Sequence, residues 1–438
     1  MSQLKQVSGG RVLDSDYLDK FDKILELTLF DKLDKENQIA TRNIAIENRF
    51  TLQELRIFIE SAIDLNVWNE ESLMSHWQQW RLSTDLKGRE YKKWVFRKLE
   101  ELLFELREKE NDYSGALAKI TSYRKQKVTI LNDTTDTKIF GRCPVYSKAT
   151  LCCNLQTIDA VKNCAFGCSY CSIQTMYTDD NIQFDEHFAQ KLDAIELDPN
   201  KHYHIGTGQS SDALIWGNTN GILDDLFRFA RKWPNALIEF KTKSKNVDYL
   251  LQSEVPNNVM CSWSLNPDII IKNEEHLTPN LNKRLKAARS VADKGVRVGF
   301  HLHPMVIHKE WQQNYLALIR NVIEQFHTDE VVFVSFGSLT FPKPVIKKIR
   351  SYGIKSKIHQ ISMISNPEGK MTYPDNIKEQ LFHHAYESFR PWHHKVFFYL
   401  CMEEKKLWDI TFGESLKNNE VFEDALIESA LKKMSTTI

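Results

Sequence analysis

Asn163-Cys164-Ala165-Phe166-Gly167-Cys168-Ser169-Tyr170-Cys171 sets three thiols in C-x3-C-x2-C spacing, directly after a β-prone run from Gln156 to Val161. Three thiolates on one tight loop can converge on one metal centre, and soft sulfur suits iron–sulfur clusters or zinc. Gly167 lets the backbone fold closely around a metal. A structural zinc site normally takes four ligands in two separated pairs, and no second C-x2-C pair follows. Cys152, Cys153 or a histidine remains available as a fourth ligand, so zinc stays open. Six of the eight cysteines (Cys143, Cys152, Cys153, Cys164, Cys168 and Cys171) fall in one stretch, leaving Cys261 and Cys401 alone. In a reducing compartment such clustering points to metal or catalysis before disulfides.

Downstream, β-prone runs recur at His202–Gly206, Leu237–Thr242, Val259–Leu265, Val296–Leu302 and Val331–Phe336. Between them Asn220–Lys232, Asn282–Lys294 and Trp311–Phe326 have helical character. Strand, helix, strand in sequence implies parallel pairing with right-handed crossovers. With Gln156–Val161 this makes six units, which suit an open or partial (β/α)6 barrel over residues 141–345. Chemistry in such architectures sits at the C-terminal ends of the strands. Beyond 345 the pattern is mixed, giving a C-terminal α/β extension over 346–438. Within it, Phe389-Arg390-Pro391-Trp392-His393-His394-Lys395 combines basic and aromatic groups, which suits base stacking and phosphate tracking as well as an ordinary folded edge. Val396–Leu400 reads as core.

Upstream, the first 140 residues read as a helical accessory domain. Asp16–Asp34 spaces Leu18, Phe21, Leu25, Leu29 and Leu33 along one stripe. Thr51 with Glu54 is a capping-box signature ahead of Leu55, Phe58, Ile59 and Ile63. A further helix is expected over Tyr91–Glu110, and the polar stretch Leu131–Lys138 marks the boundary. Acids and bases balance at 58 each and hydrophobic residues make up 42%. That balance excludes a surface that is one phosphate-binding field, though not a local basic groove. The polar N-terminus and the lack of any run of roughly 18 apolar residues predict a cytoplasmic protein with no membrane span.

C-x3-C-x2-C after the first strand of six β/α units resembles the radical S-adenosylmethionine superfamily. The resemblance implies a [4Fe–4S] cluster on Cys164, Cys168 and Cys171, with S-adenosyl-L-methionine chelating the open iron. Reductive cleavage of the sulfonium then yields a 5′-deoxyadenosyl radical. The likeness narrows to the spore photoproduct lyases and their DNA-repair-photolyase-like relatives. It is carried by Cys168 through Thr175, Ser210-Ser211-Asp212, Thr242-Lys243, Val247 through Leu251, Trp263 through Asn266, Ile271-Lys272-Asn273, Lys283-Arg284, Val298-Gly299-Phe300, Pro304, Ile307-His308 and Trp311. These run in order from about 150 to 345, and the N-terminal domain lies outside them.

The resemblance implies that Ser211, Asp212, Lys243 and Ser264 contact the cofactor, with Gly206 and Gly208 bringing backbone to its methionyl amine. Lys243 has the charge to neutralise a carboxylate, and Asp212 the oxygens to accept from an ammonium or ribose hydroxyls. His303 falls where the family approaches adenine. His301 and His303 share one face at strand spacing, which equally fits interior histidines with satisfied partners. Tyr170 is the retained catalytic tyrosine. Gln209 stands where the lyases carry their hydrogen-donating cysteine, and Ser172 where they carry a second tyrosine. Cys261, three residues before Ser264, should face away from the cofactor, whereas Cys152 or Cys153 is nearer to the cluster loop. The implied function is a lyase-like DNA-repair enzyme acting on DNA or a nucleotide-like substrate, reduced by a flavodoxin or ferredoxin. The alternative is a non-catalytic zinc or iron–sulfur scaffold protein.

Overall fold

The structure, a computed structural model, describes residues 21–115, 130–177 and 181–435, apart from positions 145 and 367. They divide into two compact units: one holds the described residues up to Lys109 together with Ile349–Gln360, the other Glu110–Lys348 and the chain from Ile361.

In the first unit, helices form at Lys35–Glu47, Leu52–Trp68, Leu73–Leu82 and Gly88–Glu108. Each of the first three starts on a residue whose side chain accepts from the first turn: Asp34, Thr51 and Ser72. Thr51 and Glu54 make both bonds of the expected capping box, each satisfying an amide that the helix leaves open. Of the stripe expected over Asp16–Asp34, positions 16–20 lie outside the described residues, and the remainder ends in a short 3-10 turn at Phe30–Lys32. Phe50, Phe58, Trp77 and Tyr91 meet edge-to-face at 5.5–5.7 Å in successive pairs. Such pairs add about 0.5–1.5 kcal/mol beyond their area burial. Arg350 joins this core by a two-pronged contact with Asp64, both arms 2.7 Å long. Burial alone would raise the Asp64 carboxyl, but His359 and Arg350 outweigh it and hold it at about 2.

The second unit is a mixed α/β fold around an eight-stranded sheet. Its strands are β1 (Phe140–Arg142), β2 (Gln156–Ile158), β3 (Tyr203–Thr207), β4 (Ala236–Thr242), β5 (Val259–Ser264), β6 (Arg297–Met305), β7 (Val331–Ser338) and β8 (Phe397–Leu400). They lie side by side in chain order. Only the β1–β2 pair is antiparallel; β2 through β8 are parallel. All six expected strands are present as β2 to β7. Their apolar runs are near-continuous because helices cover the outer face, as at Val331–Val334, which is wholly buried. Helices at Ile222–Lys232, Leu281–Asp293 and Trp311–Gln325 fall where the pattern put them.

Three readings are corrected. The run Gln156–Val161 is not one strand: β2 stops at Ile158, and Val161–Lys162 turns to pair with Ile182–Asp185. The polar stretch Leu131–Lys138, expected to mark a boundary, opens within a strand: Ile130–Asp133 pairs in parallel with Ile182–Asp185. Asp133 is buried there and accepts from Lys162 and Thr135. The tail supplies β8, and Phe389 and Trp392 before it are buried core. β1 and β8 do not pair directly; a bridge between Leu151 and Glu403 joins the chain before β2 to the chain after β8. Among the described residues no helix is long and apolar enough to cross a membrane.

Candidate active site

The thiol loop begins at Asn163, which takes the left-handed conformation at φ 68°. Its side chain accepts from the Cys164 amide at 2.9 Å and donates to the Asn181 carbonyl at 3.2 Å. Gly167–Cys168 then pairs antiparallel with Glu275–His276, Cys168 opposite Glu275. The Ser169 amide donates to the Glu274 carbonyl at 2.8 Å, its hydroxyl donates to the Glu274 carboxylate, and the Cys171 amide closes a turn onto the Cys168 carbonyl. The loop is thus stapled to residues 274–276. Cys168 is buried, while Cys164 and Cys171 are partly exposed. Burial pushes the Cys168 thiol far up, the Glu275 charge adds to this, and Cys171 and Cys164 lie near enough to contribute. Among the described residues no three ligating side chains already surround a common point. The donor set nevertheless fits a thiophilic centre: three sulfurs on one anchored loop. Beside them the Nε2 of His276 is enclosed without a hydrogen-bond partner.

Glu275 is the hub behind this loop. Its Oε1 accepts from the Tyr170 phenol and, at 2.8 Å, from Asn266; its Oε2 accepts from Arg284 at 2.5 Å. Lys243 Nζ lies 3.5 Å from Oε1 and 5.9 Å above the Tyr170 ring. Burial would raise the Glu275 carboxyl, but Arg284 and Lys243 outweigh it and hold it at about 2. The Tyr170 phenol is pushed far up by burial and by the Glu275 charge, so it keeps its proton and donates. Glu274, next in sequence, accepts from Tyr113 at 2.7 Å.

A second carboxylate, Glu239 on β4, lies on the sheet's inner face. It meets His204 and His301 at 2.7 Å each and accepts from Ser262 at 2.5 Å. Lys241, two residues on and therefore on the same face, is 3.6 Å away. His301 also meets Ser335 at 2.5 Å, so it is an interior histidine with satisfied partners. His303 packs on Gly337 and shares Ser335 at 3.1 Å.

A family model for spore photoproduct lyase matches residues 117–363, more than half of the chain. The chain belongs to the spore photoproduct lyase family. The spore photoproduct lyases of Clostridium acetobutylicum and of a Geobacillus strain are 24% and 26% identical over 196 and 208 residues, 43% and 46% of this chain. The chain spans 58% and 61% of the length of those two relatives. The Bacillus subtilis spore photoproduct lyase is 32% identical over 123 residues, 28% of this chain and 36% of its own length. A solved spore photoproduct lyase variant with bound AdoMet and dinucleoside spore photoproduct superposes at TM-score 0.54. That match has 19% identity and covers 70% of this chain and 93% of the other, showing a shared fold.

In this member of the spore photoproduct lyase family the expected cofactor residues divide between two sides of the sheet. Asp212 Oδ1 accepts from Thr242 at 2.7 Å and from two amides, and its Oδ2 accepts from the Lys243 amide at 2.6 Å. Thr242 alternates with Lys241, so Asp212 sits on the outer, helix-facing side and spends its oxygens positioning backbone. The Lys243 ammonium points instead to Glu275, and its charge is shared with that carboxylate. Ser211 is buried beside Asp212 with its hydroxyl unpartnered. Gly206 faces inward on β3. Gly208, at φ 89°, lies so close to the next strand that a Cβ would come within 2.5 Å of the Lys241 carbonyl. Ser264 ends β5 half-buried, its carbonyl accepting from Arg284 at 2.9 Å. Cys261 alternates with Ser262 and Ser264 and is fully buried on the other face.

The six clustered cysteines have two sets of neighbours. Cys143, Cys152 and Cys153 lie by the Leu151–Glu403 bridge, within electrostatic reach of Cys401 and Lys241, whereas Cys168 is within reach of Cys164, Cys171 and Lys243. A hydrogen bond from Cys153 lowers the Cys152 thiol to about 6. Glu239 and Glu275 escaped the sequence reading. The one available signal was a pair of acids, Glu274-Glu275, three residues beyond the apolar run Ile269-Ile270-Ile271.

Proposed function

We propose that this chain is a radical S-adenosylmethionine enzyme of lyase type acting on DNA or a nucleotide-like substrate. Cys164, Cys168 and Cys171 would hold a [4Fe–4S] cluster. When bound, the cluster and S-adenosyl-L-methionine together supply a 5′-deoxyadenosyl radical. The observation that carries the reading is the position of the thiol loop: it follows β2, the first of seven parallel strands in chain order, of which β2 to β7 are read here as a partial (β/α)6 barrel, and it is anchored to residues 274–276.

The chain's own groups then have distinct tasks. Gly206 and Gly208, packed closely on Leu155 and the Lys241 carbonyl, would present backbone to a methionyl amine, and the Ser211 hydroxyl has a hydrogen bond still to make. Lys243, tethered to Glu275, presents a positive charge at the end of β4. Ser264 and His303 line the same rim from β5 and β6, His303 with its ring steadied by Ser335. Tyr170 keeps its proton because Glu275 accepts from it, so it is held as a donor of hydrogen next to the thiol loop. The name of the solved relative, with AdoMet and spore photoproduct bound, supports a nucleic-acid substrate. A flavodoxin or ferredoxin in a reducing cytoplasm would supply the electron.

The test is anaerobic reconstitution with iron and sulfide. The protein should bind about four irons per chain and release 5′-deoxyadenosine from S-adenosyl-L-methionine with dithionite, while Cys168→Ala should do neither. Zinc bound without sulfide, and no cleavage, would overturn the reading in favour of a scaffold.

A further inference from the structure

An open hollow of about 680 Å³ lies beside the bridge that joins the two ends of the sheet, and none of the three loop thiols lines it. It is lined by the segment 142–154 on one side and by the starts of two helices, Lys405–Phe412 and Asn419–Met434, on the other. Five cations line it, Arg142, Lys148, Lys405, Lys406 and Lys417, against two acids, Glu404 and Glu420. In a chain whose formal charge is zero this is a local excess of three positive charges. All five cations are exposed. Lys406 is engaged by Asp375, and Lys405 donates to the Lys417 carbonyl. Among the described residues Arg142, Lys148 and Lys417 have no ion-pair partner.

The walls are built rather than loose. The Cys152 amide donates to Asn419 Oδ1 at 3.0 Å, Asn154 donates to Glu423 at 3.0 Å, and Leu151 pairs with Glu403. Arg142 stacks over the Tyr146 ring at 4.3 Å, a flat cationic and aromatic platform. Thr150 lines the hollow with a hydroxyl that has no partner. Unpaired cations and a stacking platform beside two helix starts, the second of them capped by Asn418, are elements that hold a phosphodiester chain.

We propose that this groove is a binding track for the sugar–phosphate backbone of a DNA strand. The polyanionic ligand follows from the charge; the choice of DNA rests on the function proposed above. A small anion would meet the same cations, so the length of the ligand separates the two sources.

The experiment uses the full, reconstituted chain and a fluorescent thymidine oligonucleotide of about twelve nucleotides, titrated by anisotropy across a salt series. Reversing two groove charges, Lys148→Glu with Lys417→Glu, should weaken binding about 10- to 100-fold and flatten the slope of log affinity against log salt by about 1 to 2. Arg142→Ala should weaken it less. Charge reversal at Lys93, in the helical unit, is the control. Unchanged affinity and slope in the double variant, or an equal loss in the control, overturns the proposal. So does competition by inorganic phosphate as strong, per phosphate, as by the oligonucleotide, which would mark a small-anion site. Cleavage of S-adenosyl-L-methionine without DNA should be unaffected in the double variant. Groove-dependent DNA binding by a protein that never cleaves the cofactor would leave the track standing and remove the radical reading alone.

Discussion

Glu275 and Glu239 are both fully buried carboxylates kept as anions, and the structures that keep them so differ in kind. Every partner of Glu239 lies on a strand: His204 on β3, Lys241 on β4, Ser262 on β5 and His301 on β6. Parallel register alone delivers those groups, because inward positions repeat every second residue on neighbouring strands. Glu275 collects its partners from a loop, two strand ends and a helix: Tyr170, Lys243, Asn266 and Arg284. No repeat delivers these. The sheet's interior is thus fixed by the ladder, whereas the thiol loop is stapled to residues 274–276, where the Glu275 carboxylate gathers four separate elements.

The largest effect should come from breaking the gathered site. Glu275→Gln leaves Arg284 buried without its counter-charge, at a cost of about 3–5 kcal/mol, read as a fall in the urea midpoint. It should also speed alkylation of Cys168 by loosening the loop. If Cys168 stays as protected as in the wild type, the hub does not anchor the loop.

Acid should act on the same group. The folded carboxyl lies at about 2, below its ordinary value, so its contribution is present above the normal carboxylate range and lost as pH falls towards 2. Glu275→Gln should therefore flatten the loss of stability between roughly pH 4.5 and 2, measured by urea unfolding at a series of pH values. Glu239 is also held well below its ordinary value, because Lys241 and the two histidines outweigh its burial. Glu239→Gln should cost less, about 1–3 kcal/mol, since the amide can still accept from Ser262 and the ladder stays in place. A larger loss than in Glu275→Gln would reverse the comparison.

In the same range, Tyr170→Phe and Ser262→Ala each remove one bond to a charged acceptor, about 1.5–3 kcal/mol. Both are measurable as shifts of the urea midpoint. Exceeding the Tyr170 change with Ser262→Ala would show that the ladder, not the loop, is the more strained network.

This division also explains what could be read before the structure. β2 to β7 were legible because each is a β-prone run with its own local pattern, and the Thr51–Glu54 cap because both residues are three apart. Ile130–Asp133 gives no strand signal in the sequence, since its backbone partner lies about fifty positions away and leaves no local trace. β8 carried the apolar pattern of core but no sign of its register. The thiol spacing gave the candidate cluster ligands. Lys243 was noticed for its charge, yet its partner was not, because Glu275 meets it only after two strand ends and a helix are in place. Asp212 carries its expected ligand role on charge alone; the four hydrogen-bond donors that position it, from residues 214–243, become visible in three dimensions.

Ile349–Gln360 returns to the helical unit long after the chain has left it at Lys109. Ile349, Ile354 and Ile358 are buried there. A polypeptide begun at Glu110 would therefore strip three isoleucines and Arg350 of their surroundings rather than trim away a spare appendage. Anyone dissecting this chain should excise the return segment along with the helices, replacing it with a short glycine–serine joint, or expect aggregates from the half that was meant to be freed.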